Sequence, residues 1–180
     1  SFGVDLGGAI GALPVPTPGG RNTEVVMGDL SSVRFSRKRS LCESPFRLVL
    51  VHESPSSVIC FTTDGTVPIP ATGQRYLRPI SIASTTVVRA TAFQKRMRRS
   101  PVSTHTYIFP TSVTDQPQEP AGFPDKWDSL TADYAMDPRI TQDTAYQADL
   151  LQGLRTIPTM SISMPQTDLF GPNGIYSHPM

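Results

Sequence analysis

"TTVVRATAF", residues 85–93, decides the fold. Val88, Ala90 and Ala92 alternate with Arg89, Thr91 and Phe93, the period of two that a β-strand imposes on its side chains. The β-branched run favours an extended, pleated backbone. The small alanines on the apolar side imply that another layer lies close over that face, as in two packed sheets.

The neighbouring stretches repeat the pattern. "VRFS" (33–36) is followed by "PFRLVLV" (45–51), in which Phe46, Leu48 and Leu50 share one face and Arg47 takes the other. "SVICFTT" (57–63) puts Ile59 and Phe61 inward, "PISIAS" (79–84) carries Ile80 and Ile82, and "VSTHTYIF" (102–109) closes the set. "FTTDGTVP" (61–68) reads as a strand running into a two-residue Asp64-Gly65 hairpin turn and stopping at a proline. Short strands punctuated by turn signals, with nothing helical between them, predict an all-β, immunoglobulin-like antiparallel β-sandwich. The expected interior is Phe46, Leu48, Leu50, Ile59, Phe61, Val88 and Ala90.

Composition agrees. Eighteen prolines and thirteen glycines in 180 residues argue against a helical bundle. A formal net charge of +1 gives no global field toward nucleic acid or an anionic membrane, and no apolar run is long enough to span a bilayer. No membrane insertion and no nucleic-acid partner are expected. A signal peptide is not visible in the sequence as it stands. The two cysteines, Cys42 and Cys60, have no zinc-ligand spacing. Whether they bridge is open: Cys60 alternates away from the core, and Cys42 lies in a turn whose direction the sequence does not fix.

The flanks read differently. Residues 1–27 are rich in Gly, Pro and small side chains and form an extended tail. Residues 111–180 begin as a proline-rich linker, after which "DTAYQADLLQGLRTIP" (143–158) places Tyr146, Leu150 and Leu154 at helical spacing. Asp143 is the expected N-cap, Pro158 lies past the end, and Gly153 weakens the helix by about 1 kcal/mol relative to alanine. One short helix is expected, then a strand at "TMSISM" (159–164) and a turn at "DLFGPNGIY" (168–176). Such a helix and strand cannot bury a core alone and read as the start of a further domain.

Three stretches resemble known families. "FTTDGTVP", "PISIASTTVVRATAF" and "SPVSTHTYIF" are similar to the chitobiase/β-hexosaminidase C-terminal domain, the fibronectin type III-associated repeat, over residues 28–110. That resemblance implies an accessory or spacer sandwich without catalytic residues. The chain departs from the family at Gln94–Arg99, where a glycine turn is usual, and at Cys42 and Cys60, where aromatic or polar residues are usual. "SFGVD" with "PVPTPGGRN" resembles the last strand and exit of a lamin-tail domain. "TIPTMSISM" with "DLFGPNGIYSHP" resembles the start of the CotH domain, whose family includes spore-coat proteins with an atypical kinase-like fold; no catalytic position of such a kinase maps onto this chain.

Candidate sites are few. Trp127 and Tyr134, with Phe123 near them, and Tyr76 are the candidate carbohydrate contacts, since aromatic faces stack on the apolar side of a pyranose. The competing reading has the first three anchoring the linker to a neighbouring domain. Asp64 beside its glycine resembles a calcium-loop ligand, but no second acidic residue stands nearby in sequence, and a hairpin turn accounts for it. The basic run Lys95–Arg99 suits phosphate or acidic polysaccharide, against the plainer reading of a solvated loop. His52, His105 and His178 are dispersed, no nucleophile or phosphate-loop motif occurs, and neither a metal nor another cofactor is expected. The expectation is a non-catalytic spacer in a secreted or cell-surface multidomain bacterial protein, its partners being neighbouring domains of the same chain. The alternatives are a carbohydrate-binding accessory domain with polysaccharide as partner, and the N-terminal part of a CotH-like atypical protein kinase.

Overall fold

The strand at residues 85–93 sits at the centre of the largest sheet. In the computed structural model, which describes residues 2–4, 7–13 and 25–178, the strands are β1 (Phe2–Val4), β2 (Ile10–Ala12), β3 (Gly28–Asp29), β4 (Arg34–Phe35), β5 (Ser40–Leu41), β6 (Phe46–Leu48), β7 (Leu50–Val51), β8 (Val58–Thr62), β9 (Gln74–Arg75), β10 (Ile80–Ile82), β11 (Thr86–Phe93), β12 (Met97–Arg98), β13 (Ser103–Ile108), β14 (Lys126–Trp127) and β15 (Leu130–Thr131). The helices are α1 (Pro110–Thr114), α2 (Pro138–Thr141), α3 (Thr144–Thr156) and α4 (Gln166–Phe170). The stretch "PVPTPGGRN" lies outside the described residues.

One sheet runs β5-β13-β11-β8-β9. Its register pairs Ala90 with Phe61 and Ala92 with Ile59, so these four side chains share one face. The short pairs β6-β10 and β4-β7 contribute Leu48, Leu50 and Ile82 to the same core. Ala90 and Ala92 are fully buried, as expected for a strand closely covered by a facing layer. Six of the seven expected interior residues are buried; Phe46 is partly buried and meets Tyr107 edge-on at 5.1 Å. The all-β, sandwich-like reading holds.

The structure departs from the sequence reading in several places, each with a local cause. The Asp64-Gly65 hairpin does not form, because β8 ends at Thr62 and its partner β9 begins only at Gln74. Gly65 has the positive φ of +83°, whereas Asp64 stays at ordinary φ and its carboxylate accepts from the Thr66 amide and hydroxyl at 3.0 and 2.6 Å. That is a side-chain-closed turn inside a long loop. A two-residue hairpin occurs instead between β14 and β15, where Asp128 takes φ +56° and Trp127 pairs with Leu130. In the Gln94–Arg99 turn Arg96 itself takes φ +63°, supplying the conformation for which a glycine was expected.

Pairing is not wholly antiparallel: β5 joins β13, and β3 joins β12, in parallel. Both β3 and β5 come from far upstream, so no hairpin fixes their direction. Four helices form where one was expected. α1 and α2 each start on a proline, whose fixed φ suits the first turn. α3 follows its expected cap, the Asp143 carboxylate accepting from the Ala145 amide at 2.9 Å.

"TMSISM" does not form a strand. It crosses the outer face of the five-stranded sheet rather than lying along an edge, with the Ser161 hydroxyl 2.7 Å from that of Thr106 and the Met164 carbonyl close over Gly65. Cys60 points to that outer face, as alternation requires, yet is buried, since Gly73 lies close against its side chain. Cys42 is buried in the core, and both thiols are free. Cys42 directly follows β5 and Cys60 lies in β8, with β13 and β11 between those strands, a separation of roughly 14 Å at about 4.8 Å per strand step and too far for a bridge.

Candidate functional site

The β14–β15 hairpin brings Trp127 over Tyr134, with ring centres 5.7 Å apart, and α4 adds Phe170. Phe123 and Tyr176 complete the cluster, Trp127 meeting Tyr176 at 5.1 Å. The rings meet at interplanar angles from 50° to 75°, tilted for Trp127 against Tyr134 and Phe170 and edge-to-face in the other contacts, as their quadrupoles favour over a face-to-face stack. The Tyr134 hydroxyl donates to the Pro124 carbonyl at 2.8 Å, and the Asp128 amide donates to the Tyr176 hydroxyl at 3.2 Å. Trp127 and Tyr134 therefore pack together, as a small aromatic nucleus of the region after the sandwich. Tyr76 does not join them. It packs edge-on against Phe61 at 6.4 Å and belongs to the rim of the sandwich core.

A second location emerges from the outer sheet face. Along β13, Thr104, Thr106 and Ile108 alternate outward while Tyr107 points into the core. The chain leaving α3 passes opposite them and leaves a cleft of about 700 Å³. Arg39 lines it from the edge-strand side and Arg155 from the end of α3. Thr104, Thr106, Thr156 and Ser161 line it together with the apolar Leu41, Ile108, Ile157 and Pro158, and no carboxylate or aromatic ring does. Arg155 pairs with Glu43 at 3.2 Å, whereas Arg39 has no carboxylate partner among the described residues. Lys38 and Arg39 also bear on His105, whose Nδ1 accepts from the Arg39 amide at 2.8 Å; its pKa is pushed down by burial first and by these two cations second. Sequence reasoning passed over this cleft. Its signal was the outward threonine alternation in "VSTHTYIF" beside the basic triplet Arg37-Lys38-Arg39, but the opposite wall arrives from a segment read as a strand of something else.

The remaining candidates resolve into local structure. The hydrogen bonds from Thr66 hold the Asp64 carboxyl below its usual range. In the basic run, Arg98 pairs with Asp29 at 3.4 Å and the Arg96 carbonyl accepts from the Met27 amide at 2.8 Å. His52 Nδ1 accepts from the Ser54 amide at 3.1 Å and lies 2.9 Å from the Ser57 hydroxyl. Its proton then sits on Nε2, which donates to the Ser31 carbonyl at 2.9 Å, so the ring closes a turn. Among the described residues no three His, Cys, Asp or Glu side chains gather as metal ligands do, and no helix is long and apolar enough to cross a membrane.

Residues 43–104 match the family model of the chitobiase/beta-hexosaminidase C-terminal domain. The match runs from the loop before β6 into β13 and so lies within the sandwich. That family is one of non-catalytic accessory β-domains. No curated protein matches the chain.

Proposed function

We propose that residues 28–110 act as a non-catalytic spacer sandwich in a secreted or cell-surface multidomain protein, holding neighbouring domains of the same chain at a fixed separation. The observation that carries this reading is the family match at residues 43–104, which falls on a well-packed two-layer core. The lamin-tail resemblance before it and the CotH resemblance after it supply the neighbours, with boundaries at 27 and 111. A closed core with Tyr107, Leu48, Ile82 and Val88 fully buried is stiff, as a spacer must be. The region after Phe109 folds back on the sandwich through Arg155–Glu43 and Ser161–Thr106, which supports a fixed rather than a loose connection on that side.

The aromatic nucleus supports an anchoring role for Trp127 and Tyr134, because their rings pack against one another and against Phe170 and Tyr176. In the multidomain protein that this reading expects, the test replaces residues 28–110 by a Gly/Ser linker of equal length and measures the distribution of inter-domain distances by small-angle X-ray scattering. The spacer reading expects a broad distribution of inter-domain distances in the linker version and a narrow one in the natural chain. Equal distributions would overturn it.

A further inference from the structure

We propose that the cleft between β13 and the chain leaving α3 binds a carboxylated oligosaccharide, Arg39 pairing with a carboxylate and the flanking hydroxyls with the sugar ring. A spacer needs no ligand, so this goes beyond the reading above. The cleft, at about 700 Å³, has the size of an ordinary ligand site. Its charge is one-sided, with Arg39 and Arg155 in the lining and no carboxylate among them. A planar guanidinium matches a carboxylate through two parallel hydrogen bonds. Among the described residues Arg39 has no carboxylate to hold, whereas Arg155 is positioned by Glu43. Thr104 offers its hydroxyl to a sugar. Thr106 and Ser161, bonded to each other at 2.7 Å, and Thr156, donating to the Gln152 and Gly153 carbonyls, keep acceptor lone pairs for sugar hydroxyls. Leu41, Ile108 and Ile157 offer apolar surface to the ring. Nucleic acid fits less well, because single strands are gripped by stacking on aromatic rings and none lines the cleft.

The test titrates the full chain with trigalacturonate by calorimetry, alongside its methyl ester, neutral triacetylchitotriose, inorganic phosphate and a thymidine oligonucleotide. Trigalacturonate should bind with a Kd below 10 mM, roughly the weak end of specific recognition. The methyl ester, the neutral sugar and phosphate should bind at least about tenfold more weakly, as should Arg39→Gln, since a hydrogen bond to a charged group is worth that factor or more. Thr104→Val should weaken binding by a smaller factor, with an unchanged melting transition showing that the fold persists. Arg39 and Thr104 are exposed, so both variants should fold. Absence of trigalacturonate binding at 10 mM, equal affinity of Arg39→Gln, or equal affinity for phosphate or the oligonucleotide would each overturn the proposal.

Discussion

The Tyr107 hydroxyl donates a 2.6 Å hydrogen bond to the Arg37 carbonyl, tying a fully buried phenol in β13 to the loop that leads into the edge strand β5. Arg37 in turn lies over the Phe46 ring at 4.5 Å, so one residue joins the loop to both layers. Tyr107→Phe keeps the ring and orphans the carbonyl, which should lower stability by about 1–2 kcal/mol. The denaturant midpoint should fall with the slope unchanged. Burial, reinforced by Cys42, pushes the Tyr107 pKa up to about 12. An unfolded tyrosine ionises near pH 10, so this contribution is complete below about pH 10 and declines as pH rises toward 12. The alkaline loss should shrink in Tyr107→Phe.

His105 gives the opposite dependence. Its pKa is lowered in the folded chain, by burial and then by Arg39 and Lys38, and its Nδ1 accepts the Arg39 amide. Between that lowered value and about 6.5 the unfolded chain binds the extra proton, so stability is complete above about pH 6.5 and falls as the pH drops below it. Thermal melts from pH 7.5 to pH 5 should show a fall in Tm that His105→Gln reduces. Equal falls in both would mean that His105 does not carry the dependence.

Gly65 and Gly153 should respond in opposite directions to alanine. Gly65 has φ +83° and a Cβ there would lie 3.0 Å from the Met164 carbonyl, so Gly65→Ala should cost about 1–2 kcal/mol and lift the crossing segment from the sheet. Tryptic cleavage after Arg155, at the start of that segment, should accelerate. Gly153 has open space where its Cβ would be and lies inside α3, so Gly153→Ala should stabilise by up to about 1 kcal/mol and slow the same cleavage.

The strands of the sandwich were legible because period-two alternation at 46–50, 58–62 and 86–93 reports which side chains face the core, although Cys60, Thr62 and Thr91 on the other face are buried too, and Asp143 announced α3 by its capping chemistry. Where pairing depends on distant partners, the pattern failed. "TMSISM" alternates as a strand does, yet Ser161 meets the Thr106 hydroxyl on β13 while Met160 and Ile162 stay exposed. Asp64-Gly65 has hairpin composition, but β9 begins too late to use it. The cleft was invisible for the same reason: Arg39, Thr104 and Ser161 belong to three separate stretches, and only tertiary packing brings them together.

The two cysteines provide a check on the sheet order. Cys42 and Cys60 are buried, free and separated by two intervening strands, and burial raises the Cys60 pKa against the smaller opposing effect of Arg75. Burial keeps disulfide reagents from both thiols, and the raised pKa further suppresses the Cys60 thiolate. The native chain should therefore react slowly with such a reagent at pH 8, and both thiols should titrate at once in denaturant. The melting temperature should be the same with and without reductant, because no bridge stands between β5 and β8 to be opened. A reductant-dependent fall in Tm would require the two strands to be neighbours, contradicting the order β5-β13-β11-β8-β9.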